Sequence, residues 1–247
     1  MTIYLFDGTI DGIFSCIFRS FTKKENPSLI TDKAMQTSLN DEIIEIKTDY
    51  DANKRIIAAI YRYGGLNMLS DVKFAFRSGE ENAPTVIFNY IKKTFEARKN
   101  ISGKFSDEDV LAFYDVIKRV SLEVHRFKGF LRFSESVEGI LYARFEPDNN
   151  IADLLLPHFK ARFGDLPFAI HDAKRNVAAM CNGVETKVVN ANVSFVKTGV
   201  NESAFGALWR EYYKSVNVAS RKNEKLMRAY MPARYFKNMP EKSAASM

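Results

Sequence analysis

The apolar positions in the first half of the chain change from a short continuous run to helical spacing. Residues 3–6 form an apolar run that predicts a strand, and apolar side chains within residues 13–21 recur every three or four positions, which predicts a helix. A second strand is predicted at residues 43–46. Helical spacing then continues and predicts four helices, at residues 52–63, 66–76, 84–98 and 107–127. We expect these helices to bury their apolar stripes against one another as a packed helical layer.

The middle of the chain carries two predicted hairpins. Residues 130–133 and 140–146 lie on either side of the turn-like SESVEG sequence, after Gly129, which is expected to end the preceding helix. Residues 168–172 and 177–181 predict the second hairpin. With a helix between the hairpins, the order β-β-α-β-β predicts an antiparallel sheet with helices segregated to one side, which is an α+β fold.

The helix between the hairpins is predicted from an apolar stripe at residues 151–163, and the DNN sequence at residues 148–150 can cap it. Pro157 removes a helical hydrogen bond, so we expect a kink or a second short helix beginning there. A last amphipathic helix is predicted at residues 205–216, followed by a segment in which basic and aromatic residues are interleaved.

These patterns predict three parts in the chain, although one compact domain can also accommodate them. Residues 1–128 form a mainly helical N-terminal part, residues 129–200 an antiparallel α+β core, and residues 201–247 a C-terminal helix with a basic aromatic segment.

Positive charge is concentrated at the C-terminal end. From residue 205 onward the chain has nine Lys and Arg against three Asp and Glu, which accounts for its whole net charge of +6. A polyanion is therefore expected to meet the protein in this region. Cys16 and Cys181 lie far apart in apolar surroundings, and neither a signal peptide nor a long apolar span is recognisable. We expect a cytoplasmic protein without a membrane partner.

All three histidines lie within residues 125–183, each close to a basic residue. Their spacing does not match a metal-binding motif, and no phosphate-binding glycine loop is present, so neither a metal nor a cofactor is predicted. His171 and Asp172 are adjacent on a predicted strand and point to opposite faces, so they cannot simply pair as a base and its orienting acid. The candidate catalytic residues are His125, His158, Arg162, His171, Asp172 and Arg175.

Basic residues beside aromatic ones form the candidate nucleic-acid-binding set, because Lys and Arg attract phosphates and aromatic rings stack on unpaired bases. The alternative for Trp209, Tyr212, Tyr235 and Phe236 is that these rings anchor the segment to the core. The candidate contact residues are Arg126, Lys128, Arg132, Arg221, Lys222, Arg228, Arg234 and Lys237.

Several motifs in this order resemble the bacterial family labelled "probable DNA metabolism protein", a domain of unknown function. They are YLFDGTIDGIFSCIF, VHRFKGFLRF, LYARFEPDNNI, LLLPHFKARF, FAIHDAKR and the C-terminal LWREYY, RKNEKL and MPARYFKNMPEK. The resemblance implies association with a radical S-adenosylmethionine (radical SAM) protein of DNA repair or modification. It also implies a link to a uracil-DNA-glycosylase-like domain, which follows this domain in fused relatives and is not expected here. The family offers no catalytic residues to transfer.

Three hypotheses follow. The first is a DNA-binding accessory factor in DNA repair or modification that acts with a radical SAM partner, since the chain lacks the cysteine motif of a radical enzyme. The second is a DNA-processing enzyme, which requires the His, Arg and Asp candidates to converge in one cleft. The third is a protein-interaction module without nucleic-acid binding, which is favoured if the basic segment folds back against acidic residues.

Overall fold

The computed structural model describes residues 1–33, 41–190 and 223–239, and the chain divides into two compact units, Met1–Ser121 and Leu122–Met247. Helices and two separate sheets are present, which confirms the predicted α+β class. In chain order the elements of the first unit are β1 (Thr2–Leu5), α1 (Ile10–Lys23), β2 (Leu29–Thr31), β3 (Glu42–Glu45), α2 (Tyr50–Gly64), α3 (Leu66–Ala75), α4 (Ala83–Ala97) and the larger part of α5 (Glu108–Phe130).

The sheet of the first unit is parallel and has the order β2-β1-β3. The two strands predicted in this region are confirmed, but β2 was missed because three residues are too few to show a period. Helix α1 begins where the Thr9 hydroxyl accepts a hydrogen bond from the Gly12 amide at 3.0 Å. This helix connects β1 to the parallel strand β2, as a crossover connection requires.

The four predicted helices of the first unit are confirmed as α2 to α5. The start of α5 is fixed by Asp107, whose carboxylate accepts hydrogen bonds from the amides of Asp109 and Val110. Tyr90 on α4 stacks on Phe113 of α5 with ring centroids 3.9 Å apart, and both rings are buried. The helical spacing therefore marked side chains that pack in the core of this unit.

The second unit is built on a five-stranded sheet of order β4-β5-β6-β7-β8. Its elements are the end of α5, β4 (Ser134–Glu135), β5 (Leu141–Phe145), α6 (Ala152–Phe163), β6 (Phe168–Asp172), β7 (Val177–Cys181), β8 (Thr186–Asn190), α7 (Glu224–Tyr230) and a 3₁₀ helix (Ala233–Asn238). The prediction of a wholly antiparallel sheet is wrong, because β5 and β6 pair in parallel. Helix α6 carries the chain across the sheet between them, so the next strand runs in the same direction.

The second predicted hairpin is confirmed as β6 and β7, whereas the first is displaced along the chain. Helix α5 continues beyond Gly129 to Phe130, so Gly129 does not end it. Strand β4 consequently lies inside the predicted turn. Strand β8 was missed, since its exposed and irregular sequence gave no strand pattern.

Helix α6 is a single element with Pro157 inside it, so of the two predicted alternatives a second helix beginning at Pro157 is wrong, while a kink stays a prediction. The predicted cap from residues 148–150 is also wrong, because α6 begins after Ile151 without a side-chain cap. Within the residues that the structure describes, no helix is long and apolar enough to cross a membrane. The predicted helix at residues 205–216, with Trp209 and Tyr212, lies outside those residues, as do Arg221 and Lys222.

The 3₁₀ helix is attached to the second unit through the carboxylate of Glu123 on α5. This side chain is 3 % exposed and accepts hydrogen bonds from the amides of Asp148 and Asn149, from the Asn149 side chain, and from the Tyr235 hydroxyl at 2.8 Å. The Tyr235 ring also packs against Phe127, with centroids 4.6 Å apart. One buried carboxylate therefore holds both the chain before α6 and the C-terminal 3₁₀ helix.

We expect Glu123→Gln to destabilise the second unit by about 1.5–3 kcal/mol, because an amide group would place an N–H among groups that all donate. The measurement is chemical unfolding followed by circular dichroism, together with hydrogen exchange of the amides in the 3₁₀ helix, which should become faster. Glu138→Gln is the matched control at an exposed position and should change stability by less than about 0.5 kcal/mol. Equal stability of the two variants would contradict the role of Glu123.

Candidate nucleic-acid interface

The structure places His158 and His171 on opposite sides of the five-stranded sheet. Phe163, on the same helix as His158, contacts Phe168 of β6 with ring centroids 5.6 Å apart. Because successive strand residues alternate between faces, His171 points to the face opposite Phe168. Helix α6 and His158 therefore lie against one face, whereas His171 lies on the other.

The remaining candidate catalytic residues do not join His171 either. His125 is exposed on α5, the helix that packs on β5 through Phe127 and Phe145, with ring centroids 4.9 Å apart. Phe145 shares the sheet face of Phe168, so α5 and α6 cover the same face. Arg162 is exposed and lies over the Phe163 ring at 5.7 Å. The described residues therefore do not form the single cleft that the enzyme hypothesis requires.

Asp172 and Arg175 are occupied in holding the β6–β7 turn. The buried Asp172 carboxylate accepts hydrogen bonds from the amides of Lys174 and Arg175 and forms an ion pair with the Arg175 guanidinium at 2.9 Å. That guanidinium also donates to the carbonyls of Pro147 and Asp148. Most of the hydrogen-bonding groups of Asp172 and Arg175 are used within this turn. Their closeness to each other is therefore explained by local structure and needs no catalytic role.

The Nδ1 atom of the His171 side chain forms a hydrogen bond with the Tyr142 hydroxyl at 2.7 Å. Its Nε2 atom is buried and has no hydrogen-bond partner among the described residues. Arg144 is its register partner on β5. Burial, followed by the positive charge of Arg144, lowers the pKa of His171, so the neutral ring is favoured. No group of three or more His, Cys, Asp and Glu side chains in the described ranges is arranged to hold a metal ion.

The Arg126 side chain of α5 contacts the backbone of α7, a helix that carries two further cations. The Arg126 guanidinium donates a long hydrogen bond of 3.5 Å to the carbonyl of Ala229. Lys225 and Arg228 are exposed on α7, where their spacing of three residues places them on one helix face. We call Arg126, Lys225 and Arg228 the basic ridge; these three side chains form no ion pair within the described part of the chain.

Lys225 was not among the residues predicted from the sequence. Its spacing from Arg228 was the available signal, but the short helix α7 had not been predicted. Lys128 is also exposed, but it is not part of the ridge. Because it follows Arg126 by two residues, it points to a different side of α5.

Three other predicted contact residues have partners of their own. Arg234 pairs with Asp148 at 2.5 Å and lies over the Tyr235 ring, while Lys237 pairs with Glu146 at 3.0 Å. Arg132 donates to the carbonyl of Gly129 at 2.8 Å. The carboxylates neutralise much of the charge of Arg234 and Lys237, so less of it is available to a ligand.

A small pocket lies between the end of α5, strand β5 and the 3₁₀ helix. Arg132, Arg144 and Arg234 line it beside Phe130 and Tyr235. Its volume is about 10 Å³, room for about one water molecule. It therefore does not accommodate a base or a nucleoside, and the surface of the ridge is the better candidate for contact with a ligand.

Two tyrosines in the described part of the C-terminal segment differ sharply in exposure. Tyr235 is 4 % exposed and packs on Phe127, which confirms the anchoring interpretation for this ring. Tyr230, at the end of α7, is 68 % exposed, and Leu226 one turn earlier is 54 % exposed. An apolar pair thus lies in the same short helix as two cations.

We expect His171 to make the second unit less stable in mild acid. Its lowered pKa keeps the folded chain neutral at this position, while the unfolded chain takes up a proton below about pH 6.5. The free energy of unfolding should then fall by up to about 1.4 kcal/mol per pH unit until the folded pKa is reached. Urea unfolding of the native chain and of His171→Gln, at neutral and mildly acidic pH, measures the difference. Parallel decreases of stability in the two proteins would contradict this expectation.

Comparison with known proteins identifies one family. The DUF4130 family, described as a domain of unknown function, matches residues 81–241. No curated protein and no solved structure matches the chain. The matched range covers more than half of the sequence and includes α4, α5, the five-stranded sheet and the basic ridge. The chain therefore belongs to the DUF4130 family of domains of unknown function.

Proposed function

We propose that this protein is a DNA-binding accessory factor in DNA repair or modification, and that the basic ridge contacts the DNA backbone. The observation that carries the proposal is the contact between Arg126 of α5 and the carbonyl of Ala229 on α7, the helix that also carries Lys225 and Arg228. Lys and Arg side chains that lack acidic partners attract phosphates and release the counterions condensed on DNA. The concentration of positive charge after residue 205 supports the same region.

The contrast between the ridge and the 3₁₀ helix sharpens the proposal. Arg234 and Lys237 would have to exchange their carboxylate partners, Asp148 and Glu146, for phosphates. Breaking these ion pairs offsets part of the binding free energy that the phosphate contacts provide. Lys225 and Arg228 have no carboxylate partner to give up among the residues that the structure describes. The proposed DNA contact is therefore assigned to α7 and Arg126 rather than to the whole basic segment.

A protein-interaction module is the second candidate, because part of the basic segment folds back against acidic residues. The ion pairs of Arg234 with Asp148 and of Lys237 with Glu146 are the observation that favours it. Among the described residues these pairs are confined to the 3₁₀ helix and leave α7 without acidic partners. The convergent catalytic cleft has no comparable support, since His158 and His171 lie on opposite sides of the sheet.

We further propose that the protein acts together with a radical SAM protein. The resemblance of the motifs to the DNA-metabolism family supports this partnership. The chain has only two cysteines, Cys16 and Cys181, and both are buried, whereas a radical SAM iron–sulfur cluster needs three cysteine thiolates from the protein. Any radical chemistry would therefore reside in the partner.

We expect the double variant Lys225→Ala/Arg228→Ala to weaken DNA binding and to reduce its salt dependence. The slope of the logarithm of affinity against the logarithm of salt concentration should fall by about 0.7–0.9 for each phosphate that the variant no longer neutralises. Fluorescence anisotropy with labelled DNA over a series of salt concentrations measures the slope.

The matched control removes the same charge elsewhere. Lys99→Ala/Lys104→Ala replaces two exposed lysines of the first unit and should leave the slope unchanged. An equal effect of the two double variants would show that only net charge matters, and the ridge would lose its assignment. Absence of DNA binding by the native chain at low salt would refute the proposed function.

We expect the full chain to retain its radical SAM partner, and more of it when DNA is present. The measurement is co-purification of the two proteins with damaged DNA, with undamaged DNA and without DNA. Because the ridge is proposed to contact DNA, Lys225→Ala/Arg228→Ala should lose the DNA-dependent increase in retained partner. The amount of partner retained without DNA should be unchanged. Failure to retain the partner under all three conditions would contradict the partnership.

A further inference from the structure

The apolar pair of α7 lies beside the basic ridge in one short helix. Tyr230 and Leu226 are four residues apart and share a face, and both are more than half exposed. No ring contact involves Tyr230 within the described residues. Tyr235, five residues later, is buried against Phe127, so exposure is not general in this segment. A large ring left in water next to cations points to a ligand with both an apolar face and negative charge.

Single-stranded nucleic acid has this combination. Its phosphates carry the charge, and its unpaired bases expose flat faces on which a tyrosine ring can stack. In a duplex those faces are covered by neighbouring bases, and a side chain on a helix surface reaches only phosphates and groove edges. The cations occupy other faces of α7 than the apolar pair, so a strand that crosses the helix can meet both.

We propose that Tyr230, with Leu226 beside it, is a base-stacking site that makes the basic ridge select single-stranded over double-stranded DNA. This inference rests on the proposed DNA-binding function. The cations supply attraction to both forms of DNA, and the ring adds affinity for the single strand alone. The pocket beside Tyr235 does not contribute, because it has room for about one water molecule.

The test compares Tyr230→Ala, Tyr230→Phe and the native chain for binding to one oligodeoxynucleotide, as a single strand and as its duplex, at the same salt concentration. Tyr230→Ala should bind the single strand about tenfold more weakly, in the range that one stacking ring provides, and should leave duplex affinity unchanged. Tyr230→Phe keeps the ring and should retain native affinity. Tyr50→Ala is the matched control, since Tyr50 in the first unit is 70 % exposed.

The other outcomes separate the inference from the function on which it rests. No binding of the native chain to either form refutes the DNA-binding function, and the inference with it. Binding to both forms without any effect of Tyr230→Ala refutes the inference only. An equal weakening for single strand and duplex also refutes it, since stacking on unpaired bases cannot act on both. If Tyr230→Ala leaves DNA affinity intact but abolishes capture of the radical SAM partner, the apolar pair is a protein-docking site and the inference is overturned.

Discussion

The buried carboxylate of Glu123 is the interaction on which the arrangement of the second unit depends. A carboxylate in the interior is costly unless donors surround it, and here two amides, an asparagine side chain and a tyrosine hydroxyl supply four hydrogen bonds. Three of the donors lie in the chain before α6, and the fourth, Tyr235, belongs to the C-terminal segment. These donors compensate for the burial of the Glu123 charge, and Glu123 in turn holds Tyr235 in the C-terminal segment that contributes Lys225 and Arg228 to the basic ridge.

The position of Tyr235 also decides which cations of the basic segment form ion pairs. The 3₁₀ helix is held where Asp148 and Glu146 are within reach of Arg234 and Lys237, so these cations form ion pairs. Helix α7 lies earlier in the segment, next to Arg126, and its Lys225 and Arg228 have no such partners among the described residues. Among the four described cations of this segment, those of α7 are thus more available to a ligand than those of the 3₁₀ helix.

Local patterns predicted the elements well but not the contacts between distant ones. Helical spacing located α2 to α5, and alternation located β6 and β7. The parallel pairing of β5 and β6 depends on how α6 crosses the sheet, which no local period encodes. The separation of His158 from His171 follows from the same crossover. Glu123 did leave a signal, since it falls on the buried stripe of α5 between Val120 and Phe127, where a charged residue is unexpected.

The composition of the candidate interface could be predicted from the sequence, but its geometry could not. Charge and aromatic content are properties of the residues, whereas exposure is decided by the neighbours that folding provides. Tyr230 and Tyr235 are indistinguishable in the sequence, yet Glu123 and Phe127 bury Tyr235 and leave Tyr230 in water. A buried ring contributes its stacking energy to the core, and only an exposed ring can offer it to a base. The ring that stabilises the fold and the ring proposed to bind DNA are therefore necessarily different residues.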